Sequence, residues 1–128
     1  MTTDQPALER PAAGSRGIPA FVVQVVTGVA LLVLLALHMV AQHFIVPTGL
    51  RFYDDVIAWL GNPVVVVVEV AFLGTVTYHA LLGVRAILFD FGFSERTERR
   101  ITNVLVVVGI VTVVYGVALL AAIINSAS

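Results

Sequence analysis

The sequence predicts an all-α membrane protein with three transmembrane helices, N-terminus inside and C-terminus outside, and a short interfacial amphipathic helix between helices 1 and 2. Three observations predict it. Apolar stretches at roughly 18–46, 63–89 and 101–124 each exceed the ~20 residues a helix needs to cross a ~30 Å hydrocarbon core. Only 12% of the 128 residues are charged, about half the share in a soluble domain, and they fall mainly outside those stretches. All the basic residues are Arg, and they are distributed unevenly. Arg10, Arg16, Arg85, Arg96, Arg99 and Arg100 lie on one side of the expected topology, with only Arg51 on the other. The positive-inside rule therefore puts the N-terminus in the cytoplasm. A water-soluble enzyme is excluded, and so is a nucleic-acid binder, because no basic patch is present. The absence of cysteine excludes disulfides, thiolate metal sites and cysteine nucleophiles.

Residues 1–17, rich in Pro, Ala and Gly, are expected to form a flexible cytoplasmic tail, and 18–125 a single transmembrane domain with spans at about 18–46, 63–90 and 98–124. The first apolar stretch is far longer than the h-region of a signal peptide and is read as a retained span. In 50–60, Phe52, Val56 and Trp59 form one helical stripe with Tyr53, Ile57 and Leu60 beside it, while Arg51, Asp54, Asp55 and Ala58 face away. That pattern suits a helix lying in the outer interface. Asn62 and Pro63 suit the N-cap and first position of span two. Gly92 suits its C-cap, and Ser94 with Glu95 and Glu98 the start of span three.

Polar residues inside a span are costly and are functional candidates by default. In span two, Phe72, Thr75, His79, Gly83, Ala86 and Asp90 share one helical line. A glycine one turn from an intramembrane imidazole leaves room for a broad, flat group such as haem, held by an axial histidine. The alternative is a histidine that hydrogen-bonds a neighbouring helix, with Gly83 serving close packing. In span one, Thr27, Leu31, Leu34, His38 and Ala41 share a stripe. His43 lies about 140° round from His38 and suits the outer interface. Counting from assumed span ends near residues 20 and 90, His38 stands about 27 Å above the cytoplasmic side and His79 about 16 Å. A separation of about 11 Å is too great for both to bind one iron. If both bind haem, they hold different haems, and each iron takes its sixth ligand from another chain. Glu69 could carry protons, pair with a haem propionate or reach the outer interface. Arg85 is expected to snorkel to the cytoplasmic interface, where it could meet a propionate or a quinone carbonyl. Gly109, Thr112 and Gly116 form a stripe suited to helix packing.

The run His79, Gly83, Arg85, Asp90 and Phe91 resembles the HxxxGxRxxxxD-plus-aromatic pattern in the second span of the membrane-anchor cytochrome b subunits of succinate dehydrogenase and fumarate reductase. Thr27 and Gly28 resemble that family's (S/T)G motif, and 37–44 the outer end of span one in its two-haem members. The loop 54–63 adds a weaker match that leans towards the second of the two anchors. The resemblance covers most of residues 20–100. It implies a heterotetrameric succinate:quinone oxidoreductase, complex II, in a prokaryotic cell (inner) membrane. Flavoprotein and iron–sulfur subunits would oxidise succinate, and this chain, non-catalytic itself, would pass electrons to quinone together with a second membrane anchor. It further implies two haem b groups shared with that anchor, with His79 ligating the inner iron and His38 the outer. Gly83, Thr27 and Arg85 would border the cofactor, and Asp90, Arg85 and Gln24 the quinone rim. Two departures stand out. Gln24-Val25 replaces the HR pair found in many anchors before the (S/T)G motif, and Phe91 stands where some have a quinone-contacting Tyr. The alternative from another class is a haem-free structural anchor or small transporter component whose histidines serve helix packing.

Overall fold

The computed structural model describes residues 17–44 and 52–126, and within them the chain forms four helices: α1 (Gly17–His43), α2 (Tyr53–Leu60), α3 (Pro63–Phe89) and α4 (Glu95–Ser126). α1, α3 and α4 are each long and apolar enough to cross a membrane. The expected tail with Arg10 and Arg16, the end of span one to Val46, and Arg51 lie outside the described residues.

Local chemistry sets the helix ends. The Asn62 side chain accepts a hydrogen bond from the Val64 backbone N–H at 2.9 Å, and Pro63 occupies the first turn of α3, where its missing N–H is not needed. α3 ends at Phe89, with Asp90 as its C-cap. Gly92 then reverses the chain at φ +69°, the left-handed region that glycine enters without steric cost. Gly92 therefore lies two residues beyond the C-cap and forms the turn rather than the cap itself. α4 begins at Glu95, where Ser94, Glu95 and Glu98 predict a helix start, six residues before the apolar run at 101–124. The Glu98 N–H bonds the Ser94 carbonyl at 3.0 Å, and Glu95 and Glu98 lie in a first turn whose free N–H groups favour negative charge. This charged turn extends the helix beyond the apolar run.

α2 is shorter than the expected 50–60 helix and is oriented somewhat differently. Val56, Ile57 and Trp59 are partly buried and Leu60 is buried, whereas Phe52 and Tyr53 are exposed. Asp55, expected to face away, turns its carboxylate back to accept the Phe52 N–H at 3.1 Å, which ties down the helix start. α2 packs against both α3 and α4.

The long helices lie in a row. α1 packs on α3 and α3 on α4, with no contact between α1 and α4 among the described residues. α3 is therefore the central helix and has two seams. On the α4 seam, a Cβ added to Gly109 would lie 2.6 Å from Leu81 Cδ1, and one added to Gly116 would lie 2.5 Å from Leu73 Cδ2. These glycines let the leucines of α3 sit on the α4 backbone, the close approach that holds helices together in lipid. Thr112, on the same expected stripe, is exposed. A row of helices encloses no interior, and among the described residues only Leu60 is buried. Faces such as Val22, Val25, Val29 and Leu32 are left for lipid or another chain.

Candidate functional site

The α1–α3 seam carries two histidine pairings. At the first, His79 of α3 lies against α1. Its Nδ1 is 3.0 Å from Thr27 Oγ1 and its Nε2 is 3.2 Å from Gln24 Nε2. The Thr27 hydroxyl donates its single proton to the Val23 carbonyl at 2.8 Å, so it accepts from the imidazole. His79 therefore carries its proton on Nδ1, and its Nε2 lone pair accepts from the Gln24 amide. Gln24, Thr27 and Gly28 fall on one face of α1 by their i, i+3, i+4 spacing. A Cβ at Gly28 would stand 3.2 Å from His79 Cε1, and one at Gly83 would stand 3.4 Å from Gln24 Nε2. Glycine on both helices thus allows the imidazole and the amide to lie between two backbones. Gln24 Oε1 is buried and has no hydrogen-bond partner.

At the second pairing the helices exchange roles. His38 comes from α1, and its Nδ1 lies 3.1 Å from Oε1 of Glu69 on α3. Gln42 Nε2 approaches the same oxygen at 3.4 Å. The His38 ring stacks on Phe72, with centroids 5.5 Å apart and planes at 18°. Because the carboxylate accepts from Nδ1–H, neutral His38 also presents its lone pair at Nε2. Glu69 is thus bound to His38 across the α1–α3 pair.

These pairings set the register of the antiparallel helices. His79 stands level with Gln24–Gly28 on α1, which puts it about 15–20 Å below His38 along the helix at about 1.5 Å per residue. The two histidines thus stand at different levels of the helix pair, and their separation exceeds the 11 Å read from assumed span ends.

The other expected residues lie elsewhere. Arg85 faces the opposite seam: its Nε donates to Thr102 Oγ1 of α4 at 3.2 Å, and its guanidinium sits 4.2 Å from the Phe89 ring centroid. It borders an open, apolar groove of about 650 Å³ between α3 and α4, lined also by Leu81, Leu105 and Gly109. Asp90 and His43 are exposed at helix ends. Gln24, expected at a quinone rim, bonds His79 itself. The contacts of Gln24, Gly28 and Glu69 with the histidines are not evident from the sequence. The spacing of Gln24, Thr27 and Gly28 was the available signal for the first two. For Glu69 the only signal was its charge inside an apolar run.

Three long apolar helices, two of them paired through histidines, define a polytopic membrane protein. The family model for the succinate dehydrogenase/fumarate reductase transmembrane subunit matches residues 14–118, and the chain belongs to that family. It is 35% identical over 96 residues to a succinate dehydrogenase hydrophobic membrane anchor subunit of Thermoplasma acidophilum, covering 75% of this chain and 78% of the relative. A second relative with the same description, from Archaeoglobus fulgidus, is 27% identical over 101 residues, covering 79% and 86%. No solved structure matches the chain.

Proposed function

We propose that this chain is the haem b-binding membrane-anchor subunit of a succinate:quinone oxidoreductase. In this reading it holds the flavoprotein and iron–sulfur subunits at a prokaryotic cell membrane and relays electrons to quinone alongside a second anchor. One observation carries the reading: two intramembrane histidines stand at separate heights, each with Nδ1–H bound by a side chain of the neighbouring helix. Metal-ligating histidines characteristically have this partner on the second nitrogen, because it fixes the ring and the tautomer and directs Nε2 to the metal. No cluster of three or more His, Cys, Asp or Glu that could hold a bare ion occurs among the described residues. A haem, whose macrocycle supplies the equatorial nitrogens, needs only one imidazole from this chain, so the donor set fits it.

Haem supplies a one-electron iron couple, and the protein supplies ligation, orientation and electrostatics. His79 would ligate the inner iron and His38 the outer. Thr27 holds the Nδ1–H tautomer of His79, and Glu69 that of His38. Gly83 keeps the α3 surface beside His79 free of a side chain. His79 Nε2, the nitrogen that would hold the iron, is bonded here to the Gln24 amide, so ligation would require that amide to give up the bond. Arg85 and Asp90, at the Arg-rich end assigned to the cytoplasm, would border the quinone region. The complex purified through a tag on this chain should show a haem b α-band in the reduced-minus-oxidised spectrum. An intact complex without that band sinks the reading.

A second reading is favoured by the fact that both ring nitrogens of His79 already have partners on α1. A haem-free anchor would use these bonds simply to join the helices. In that case His79→Ala weakens the complex without changing any visible spectrum.

A further inference from the structure

Glu69 is the one carboxylate among the described residues bonded to a histidine, and it lies in an otherwise apolar run of α3. Its position is well defined. It accepts from His38 at 3.1 Å and from Gln42 at 3.4 Å through a single oxygen, and Phe72 stacks on the imidazole it holds. The His38 and Glu69 side chains are only 28% and 23% exposed. Helix pairing alone does not require a charge at this place, because the equivalent contact at His79 uses a neutral hydroxyl.

We propose that Glu69 is a positioning residue for His38, one that directs Nε2 to the outer haem iron and lends the imidazole anionic character, favouring ferric iron. The proposal rests on the reading of His38 as a haem ligand. A carboxylate accepting Nδ1–H draws that proton away from the ring and makes Nε2 a stronger donor. A stronger donor, with a negative charge close by in a low-dielectric span, stabilises the oxidised metal more than the reduced. At His79 the Thr27 hydroxyl can orient the ring but carries no charge. The effect therefore belongs to one haem only.

The test is a redox titration of the purified complex, followed at the α-band. Glu69→Gln keeps an acceptor oxygen of similar reach and removes the charge. Both haems should be retained, with the oxidised-to-reduced ratio of the His38 haem falling about tenfold at fixed potential, an upward midpoint shift of ~59 mV for a one-electron couple. The His79 haem should not move. Glu69→Ala, which removes the acceptor as well, should lower occupancy of the outer haem. A retained outer haem with an unchanged midpoint in Glu69→Gln overturns the proposal, as does an equal shift of both haems. If Glu69→Gln does not assemble, Glu69→Asp should alter the low-spin ferric EPR signal of the outer haem alone, and an unaltered signal overturns the proposal. His38→Ala separates the two readings. If it removes no haem, the ligand assignment fails and this inference with it. If it removes one haem while Glu69→Gln shifts nothing, only this inference fails.

Discussion

The two histidine pairings use one device in opposite senses. Near one end of the seam, α3 supplies the imidazole and α1 the acceptor; towards the other, α1 supplies the imidazole and α3 the acceptor. Their surroundings differ. His79 is held by neutral groups, Thr27 and Gln24, and lies against Gly28. His38 is held by a carboxylate and an aromatic face. The same bond geometry can therefore orient two imidazoles alike while giving them different electrostatics. The His79 ring depends on close backbone packing, the His38 ring on charge.

The largest test of this comparison is removal of each imidazole. On the haem reading, His79→Ala and His38→Ala should each abolish one haem and leave the other, measured as haem per complex in a pyridine haemochrome assay. Loss of both from either variant would show that the pairings are not independent. Next in size is Thr27→Val, which keeps the side-chain shape but leaves the Nδ1–H of His79 without its acceptor. Inner-haem affinity should fall about 10–100-fold, as for other partners of ligating histidines, with the outer haem unaffected.

Gly28→Ala sharpens the packing side of the comparison. Its new Cβ would press within 3.2 Å of a ring held at both nitrogens, so the cost should be about 1–3 kcal/mol in denaturant unfolding of the complex. Gly109→Ala meets only the tip of the Leu81 side chain, which can rotate away, and should cost less. The smallest effect is expected on the α4 seam. Thr102→Val removes the acceptor for Arg85 and should cost about 0.6 kcal/mol, with no change in haem content.

Much of the site was legible before any fold was known. His79 and His38 stand out in the sequence because an imidazole in an apolar span is costly, and the stripes that carry them follow from a 100° helical step. The partners were less legible. Thr27 shared the His38 stripe, yet it bonds His79. Glu69 was visible as a charge in the membrane, but its alternatives were a proton carrier, a propionate partner and an interfacial residue, and none named His38. Arg85 was expected beside the cofactor because it shares a motif with His79. Six residues further along the helix, however, the side chain has rotated about 120° away from that face, and it bonds α4.

The sequence by itself determined the class, the three long apolar helices, the short helix between the first two and the cap that starts α3. Those depend on local quantities: apolar length against bilayer thickness, and short-range caps such as Asn62-Pro63. Only the tertiary structure decided how far each helix slides along its neighbour. Periodicity tells which face of a helix turns inward, but an apolar face can pack at many axial offsets with similar energy. The offset is settled where particular side chains meet, at His79 with Thr27 and Gln24 and at His38 with Glu69. That is why the heights of the two imidazoles could be ordered from sequence, while their separation and their partners could not.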